Sequence, residues 1–358
     1  MNTYLFRIDG TTGAVKKVTS LPTIGSAPED SYFNGMSGWA DGTLVMKNLA
    51  RVPGCKEQGF FALVNCPNLE KTPPSTMVVV DSKTLEVLAS KQMEQMIGGR
   101  IVATEFNGKK YAYVAGSTKL YRYLWDGKDI SLDTSWGPVD YLQPGENGAS
   151  APSILGDQVL LMTNGTAPTE TPLSVVAISQ SDATKINRIQ PMPLQQGQVS
   201  YIPSALSVDA VNNRLYTMDP GPGKVAAVDI NPQTGEMKLA WSVDQSTLSW
   251  MVLIGPPDKR ILVATDIKTN TPMPNPIDWE SGPIGANYTE RVQWREASTG
   301  KLLGESDYYS PMVVGMQLWP GYGGLIYDGL TDGGLVAFQP LPSAPATPSA
   351  TPTPSPEG

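Results

Sequence analysis

Short runs of apolar and β-branched residues alternate along the chain with clusters of Gly, Pro, Asn and Asp, and no stretch sustains a helical period. The pattern predicts an all-β chain, and within it two signatures recur. In the first, an apolar run ends in an acidic or turn residue, then comes Thr-Gly or its equivalent, then a second apolar run. It reads YLFRIDGTTGAV at Asp9, MVVVDSKTLEVL at Asp81, KVAAVDINPQTGEM at Asp229 and RVQWREASTGKLL at Glu296, with looser copies at Asp126 and near Ser181. An acidic side chain there accepts N–H bonds of the turn, and a glycine supplies positive φ. From Asp81 onward the copies are spaced by ~45–65 residues, which suits a repeat of four strands carrying insertions.

The second signature is a hairpin turn followed by an apolar strand that ends in a small or polar residue: Asn48, Gly116, Asn164, Asp219, Asp266 and Asp328. Each copy pairs with a preceding strand that begins near Asn34, Ile101, Ser150, Ser204, Met251 or Val314, giving six sets of at least three strands. The last set, Val314 to Phe338, lacks an outer strand; the first strands, Tyr4 to Ile8 and Ala14 to Val18, lack an inner pair. These sets predict a β-propeller of four-stranded antiparallel blades, six or seven in number, with the ring closed by N- and C-terminal strands sharing a blade. The propeller is expected over residues 1–341. Residues 342–358, PSAPATPSATPTPSPEG, read as a disordered Pro/Thr/Ser-rich tail able to tether the domain.

Composition removes several functions. The chain of 358 residues has no histidine, so Ser-His-Asp triads, Cys-His dyads, His-based zinc sites and Cys-x-x-Cys-His haem attachment cannot be built within it. A net charge of −8 argues against a nucleic-acid partner, whose phosphates need clustered Lys and Arg. No stretch reaches the roughly 20 apolar residues of a membrane-spanning helix, and Met1 to Ser20 is not a signal peptide. The two cysteines, Cys55 and Cys66, are expected to form a disulfide closing a short loop, the alternative being two reduced thiols. With the tail, the disulfide points to an extracellular or periplasmic location, the signal peptide not being in this chain.

The stretch SAPSILGDQVLLMTNG followed by LSVVAIS, together with the units at Asp9, Asp229 and Glu296, resembles the repeats of quinoprotein-like propellers of the pyrroloquinoline-quinone-repeat type. The resemblance implies the fold. It does not carry the quinone, because the adjacent cysteine pair that accompanies that cofactor is missing, and no cofactor is expected. A second stretch, FNGMSGWADGTLVMKN, resembles the calcium-dependent lactonase propellers, and by that resemblance Asn34 would be a metal ligand.

In a propeller, the loops joining second to third strands share one face with the loops joining successive blades, and that face rims the central channel. The residues expected there as a ligand-binding rim are Asn34, Asn48, Asn164, Asp219, Asp266 and Asp328, all with oxygen donors. The longest insertions, Leu49 to Ser75, Gly165 to Pro172 and Ile267 to Asn287, follow the same position, and Trp279 within the last is a candidate partner-binding residue. The leading expectation is an exported, non-enzymatic propeller that binds a protein, a glycan or a small polar ligand on this face. Two alternatives stand beside it. One is a calcium-dependent lactonase or esterase with Asn34, Asn164, Asp219 and Asp266 around the ion. The other is a structural module of an envelope or assembly.

Overall fold

The structure is a computed structural model and describes residues 3–52, 54, 71–149, 151–201, 204–247, 249–269, 288–309, 318–330 and 334–339. Cys55, Cys66, Trp279 and the tail lie outside the described residues. Among those described, regular structure consists of strands and short 3-10 turns. β1 (Tyr4–Ile8) and β2 (Val15–Ser20) form a hairpin of their own. Sheet 1 then runs β3 (Ser31–Gly38), β4 (Thr43–Ala50), β5 (Thr76–Asp81), β6 (Val87–Gln92). Sheet 2 runs β7 (Ile101–Phe106), β8 (Lys109–Ala115), β9 (Lys119–Trp125), β10 (Ile130–Leu132), and β11 (Val139–Asp140) also pairs with β9. Sheet 3 is β12 (Ser153–Leu155), β13 (Gln158–Met162), β14 (Val175–Ser179), β15 (Ile186–Ile189). Sheet 4 is β16 (Ser207–Asp209), β17 (Arg214–Asp219), β18 (Lys224–Ile230), β19 (Met237–Asp244). Sheet 5 is β20 (Val252–Ile254), β21 (Ile261–Thr269), β22 (Tyr288–Glu296), β23 (Leu302–Glu305). The last sheet has three strands, β24 (Trp319–Pro320), β25 (Ile326–Gly329), β26 (Leu335–Phe338). The first strands of the sheets neighbour one another in chain order, β3 beside β7, then β12, β16, β20 and β24. Antiparallel meanders stacked around a succession of inner strands form a β-propeller.

The middle strands are largely buried along their length because both of their faces are covered, and β14 is apolar from Val175 to Ile178. Along β8, Ala112 and Val114 point into the core shared with sheet 1, while Tyr111, Tyr113 and Ala115 point into the core shared with sheet 3. The same division recurs on β14, where Val176 and Ile178 meet sheet 2 and Val175 and Ala177 meet sheet 4. The period of two therefore sorts side chains between two neighbouring sheets instead of between core and water. Outer strands, with a solvent face, alternate in burial, as β6 does.

The five-residue turn between third and fourth strands forms as expected. Asp9 Oδ1 accepts the N–H groups of Thr11 and Thr12 at 3.1 and 2.9 Å, and Asp81 Oδ1 those of Lys83 and Thr84 at 2.9 and 2.7 Å. In sheet 4 the acceptor is Asn231, which takes the N–H groups of Gln233 and Thr234 at 2.9 and 3.1 Å. Asp229, the residue expected in that role, lies still on the strand and pairs with Arg214 at 2.7 Å. In sheet 3 the turn acceptor is Asp182, one residue beyond Ser181.

Polar staples hold one sheet to the next. Trp39 Nε1 donates to the carbonyls of Thr104 and Tyr111 at 3.0 and 3.2 Å. Trp136 Nε1 donates to Ser179 O at 3.0 Å, and Trp241 Nε1 to Ala297 O at 3.1 Å. Arginines reach the same carbonyl rows: Arg122 donates to Gln180 O at 2.7 Å, and Arg214 to Ser298 O at 2.9 Å. Gly300, at φ +77°, lies against the Trp241 ring, where a Cβ would come within 2.8 Å of Cε3.

Among the described residues no ladder joins β26 to β1 or β2. Each terminal sheet is instead committed to its chain neighbour, the hairpin through Leu5 against Met46, Val78 and Val80, the last sheet through Phe338 and Ile326 against Val263 and Trp294.

The Arg122 staple has a measurable consequence. Its guanidinium is buried, paired with Asp133 at 2.7 Å, and stacked 4.4 Å from the Tyr111 centroid and 4.7 Å from that of Trp136. Arg122→Met leaves Asp133 uncompensated, so urea unfolding should show a loss of about 3–5 kcal/mol. Adding Asp133→Asn in that background should recover part of it.

Candidate functional site

Of the six residues expected at a ligand-binding rim, Asn34 lies on the first strand β3, and Asn48, Asn164, Asp219, Asp266 and Asp328 lie on or just after second strands; Asn48, Asn164, Asp219 and Asp328 are buried. Asn48 Oδ1 accepts the N–H of Thr76 at 2.5 Å, which ties the end of β4 to the start of β5. Asn164, in the left-handed region at φ +65°, donates to Thr171 O at 2.9 Å and to Ser200 Oγ at 3.0 Å. Ser200 also bonds Asp219, so Asn164 and Asp219 meet through it across sheets 3 and 4. Asp219 Oδ1 accepts the N–H of Gly221 at 3.0 Å. Burial pushes this carboxyl up to about 7 against those hydrogen bonds. Gly221 is needed there, since a Cβ would lie 1.6 Å from Val199 O.

Asp266 is held by Arg291, whose Nε and Nη2 both lie 3.0 Å from Oδ2, and it accepts Ser246 N–H at 3.1 Å. Asp328 accepts the Tyr309 hydroxyl at 2.5 Å and bonds Glu290, a buried acid on the facing sheet; burial pushes its carboxyl up. The 165–172 insertion is pinned by Asn147, whose Oδ1 accepts Thr166 N–H and Ala167 N–H at 3.0 and 3.2 Å, and by a bridge between Thr169 and Ser200. The insertions after Asn48 and Asp266 lie mostly outside the described residues. The structure thus brings Asn164 to Asp219 but gives Asn48, Asp266 and Asp328 separate local partners. Among the described residues no three His, Cys, Asp or Glu side chains gather as a group able to hold a metal.

Asn34 leads to the part of the face that the sequence did not disclose. Its Oδ1 accepts the ammonium of Lys47 at 2.7 Å, and its Nδ2 donates to Gly98 O at 3.0 Å. Lys47 is wholly buried, spends a second N–H on Ile97 O at 2.7 Å, and has its ammonium pushed down to about 7 by burial and then by the positive charge of Arg100. These two bonds fold residues 97–100 over the end of sheet 1, where Gly35 leaves room: a Cβ there would stand 3.5 Å from Arg100 Cα and 3.2 Å from Ile101 N.

Arg100 is exposed and lays its guanidinium over Trp250, 4.5 Å from the ring centroid. Arg100 enters sheet 2 and Trp250 enters sheet 5, so their contact crosses the space that the inner strands surround. The indole N–H of Trp250 is buried and has no acceptor among the described residues. Tyr32 stands beside Arg100, its hydroxyl pushed up to about 12 by burial against the pull of that guanidinium. No carboxylate among the described residues acts on Lys47, Arg100 or Tyr32. The sequence offered one signal for this cluster, a lysine inside the otherwise apolar strand LVMKNLA.

The opposite face, with the first-to-second-strand turns, has a cleft of about 470 Å³ between sheets 4 and 5, bordered by Pro257, Lys259 and Ser298. Its arginine, Arg214, is spent on Asp229 and the Ala297 and Ser298 carbonyls.

No family model matches this chain, and no curated protein matches it. Among solved structures it is similar to the Cps50 (Swd1) β-propeller domain of Myceliophteria thermophila, at 9% identity over 93% of this chain and 89% of that one, with a TM-score of 0.55. BamB from Moraxella catarrhalis aligns at 13% identity over 91% and 88% of the two chains, TM-score 0.45. A putative 6-phosphogluconolactonase from Bacteroides fragilis aligns at 14% over 93% and 88%, TM-score 0.47. The likeness to the Swd1 domain shows the β-propeller fold.

Two buried groups make stability depend on pH in opposite senses. Between about pH 4 and 7 the folded state holds a proton on Asp219 that the unfolded state has lost, so stability falls as pH rises. Between about pH 7 and 10 the unfolded state holds the Lys47 proton that the folded state has lost, so stability rises with pH. Denaturant titrations across this range should show the fall flattened in Asp219→Asn and the rise flattened in Lys47→Met.

Proposed function

We propose that the chain is an exported, non-enzymatic propeller that binds a polar ligand or the polar group of a protein or glycan on this face. The observation that carries the reading is the Arg100–Trp250 bridge. Every other arginine holds a carboxylate or a carbonyl, among them Arg51 with Asp30, Arg188 with Glu146 and Arg7 with Lys83 O. Arg100 alone donates to nothing among the described residues and stands exposed over an aromatic ring. An exposed guanidinium on indole costs little to keep and is preordered for a partner, the contact itself contributing ~0.5–2 kcal/mol. The Cys55–Cys66 disulfide, the Trp279 contact and tethering by residues 342–358 belong to the same proposal, supported by the composition of those segments. No helix among the described residues is long and apolar enough to cross a membrane.

Thermal-shift screening of sugars, organic acids and phosphates should yield ligands whose affinity drops at least tenfold in Arg100→Ala and in Trp250→Ala. Lys259→Ala, on the opposite face, should leave it unchanged. Binding lost only in Lys259→Ala would move the site to the other cleft and overturn the reading.

A second reading, an assembly module, is favoured by one specific observation. Tyr4, Phe6 and Ile8 project from one face of β1, opposite Val18 and Val15 of β2, and all are exposed. Light scattering should then show concentration-dependent self-association that Phe6→Glu abolishes. A monomer at every concentration removes this reading.

A further inference from the structure

Resting on the recognition reading, the ligand class at the channel mouth follows from the charges assembled there. Two cations, Lys47 and Arg100, lie close enough to oppose each other, and their electrostatic neighbours among the described residues are each other and Tyr32. Elsewhere in this acidic chain buried or half-buried cations have carboxylate partners or spend their donors on other acceptors: Arg122 has Asp133, Arg188 has Glu146, Arg291 has Asp266, and Arg295 donates to Gln245, Gln293 and Gly300 O. A buried ammonium beside an uncompensated guanidinium is unfavourable unless an anion completes the set.

The donors present fit such an anion. Lys47 is fixed by Asn34 Oδ1 and Ile97 O, and those two bonds leave its third N–H uncommitted among the described residues. Arg100 keeps its whole fork, since it makes no hydrogen bond or ion pair there, and its plane is set by the Trp250 ring 4.5 Å away. The Trp250 indole N–H is buried and has no acceptor among the described residues. A planar fork suits the paired oxygens of a carboxylate or phosphate, which a lysine alone does not match. The donors come from loops entering sheets 2 and 5 and from the middle of sheet 1, so the receptor exists only in the assembled ring.

We propose that Arg100, Lys47 and Trp250 form a receptor for an anionic oxygen group, carboxylate or phosphate, at the channel mouth. The guanidinium takes the anion in its fork while Lys47 supplies positive charge from beneath, and the bound group separates two cations that otherwise repel.

Calorimetry and thermal midpoints with inorganic phosphate and with succinate, against sodium chloride at equal ionic strength and glucose as a neutral probe, test this. Saturable binding of phosphate or succinate with a raised midpoint is expected. Arg100→Ala should weaken it at least tenfold, and Arg100→Lys, which keeps charge and loses the fork, several-fold. Lys259→Ala should leave it intact, and circular dichroism of each variant reports that the sheets persist. An oligoglutamate peptide binding more tightly than succinate would assign the anion to a protein partner, and the reverse order to a free small molecule. Midpoints that follow ionic strength alike for chloride and phosphate would overturn the anion class, as would binding undiminished in Arg100→Ala. Glucose binding that depends on Arg100 and Trp250 while both anions fail would overturn the anion class and keep the recognition site; no Arg100-dependent binding of any probe would remove both.

Discussion

The middle strands of this protein bury apolar side chains on both faces, and neither face can be left to water. A sheet whose β14 carries Val176 and Ile178 on one side and Val175 and Ala177 on the other has to be sandwiched, so no sheet is stable alone. Stacking in chain order is the solution that the short connections permit, and the inner strands fall beside one another as a result. The directional part is supplied by tryptophans and arginines that donate across each junction to carbonyls at the edge of the next sheet. Trp136 and Arg122 reach Ser179 and Gln180, and Trp241 and Arg214 reach Ala297, with Arg214 also at Ser298. Apolar burial fixes which sheets touch; these staples fix how they are rotated against one another.

That rule also explains the two ends. The N-terminal hairpin and the last sheet have a neighbour on one side only among the described residues, and the side left over is where Tyr4, Phe6, Leu335 and Trp319 are exposed. The expected sharing of a blade by terminal strands is a statement about edges, whereas the observed docking is governed by faces. Leu5 and Phe338 each find a core with the adjacent sheet, and nothing in either strand's edge chemistry competes with that burial.

What could be read from the chain was local. The Asp9 and Asp81 turns were legible because acceptor, donor and glycine or its substitute lie within five residues. Where two candidates sit two residues apart, as Asp229 and Asn231 do, the position of Thr-Gly decides, and it selects the asparagine. What the Asn and Asp residues of the second strands bond was not legible. Ser200 joins Asn164 to Asp219 across two sheets, and the Lys47 ammonium occupies Asn34, contacts that no spacing in the sequence encodes. Arg100 and Trp250 were invisible for the same reason, being unremarkable loop residues until the ring places them opposite.

Sheets that touch their neighbours transmit force around the circumference, as the links of a belt do. The stack of Arg100 on Trp250 is a cross-brace on that belt. It joins loops at the entrances to sheets 2 and 5 without passing through sheets 3 and 4, so a displacement at one entrance reaches the other by a direct path. A group that pulls on the guanidinium therefore loads both entrances at once, which the packing of one sheet on the next does not do.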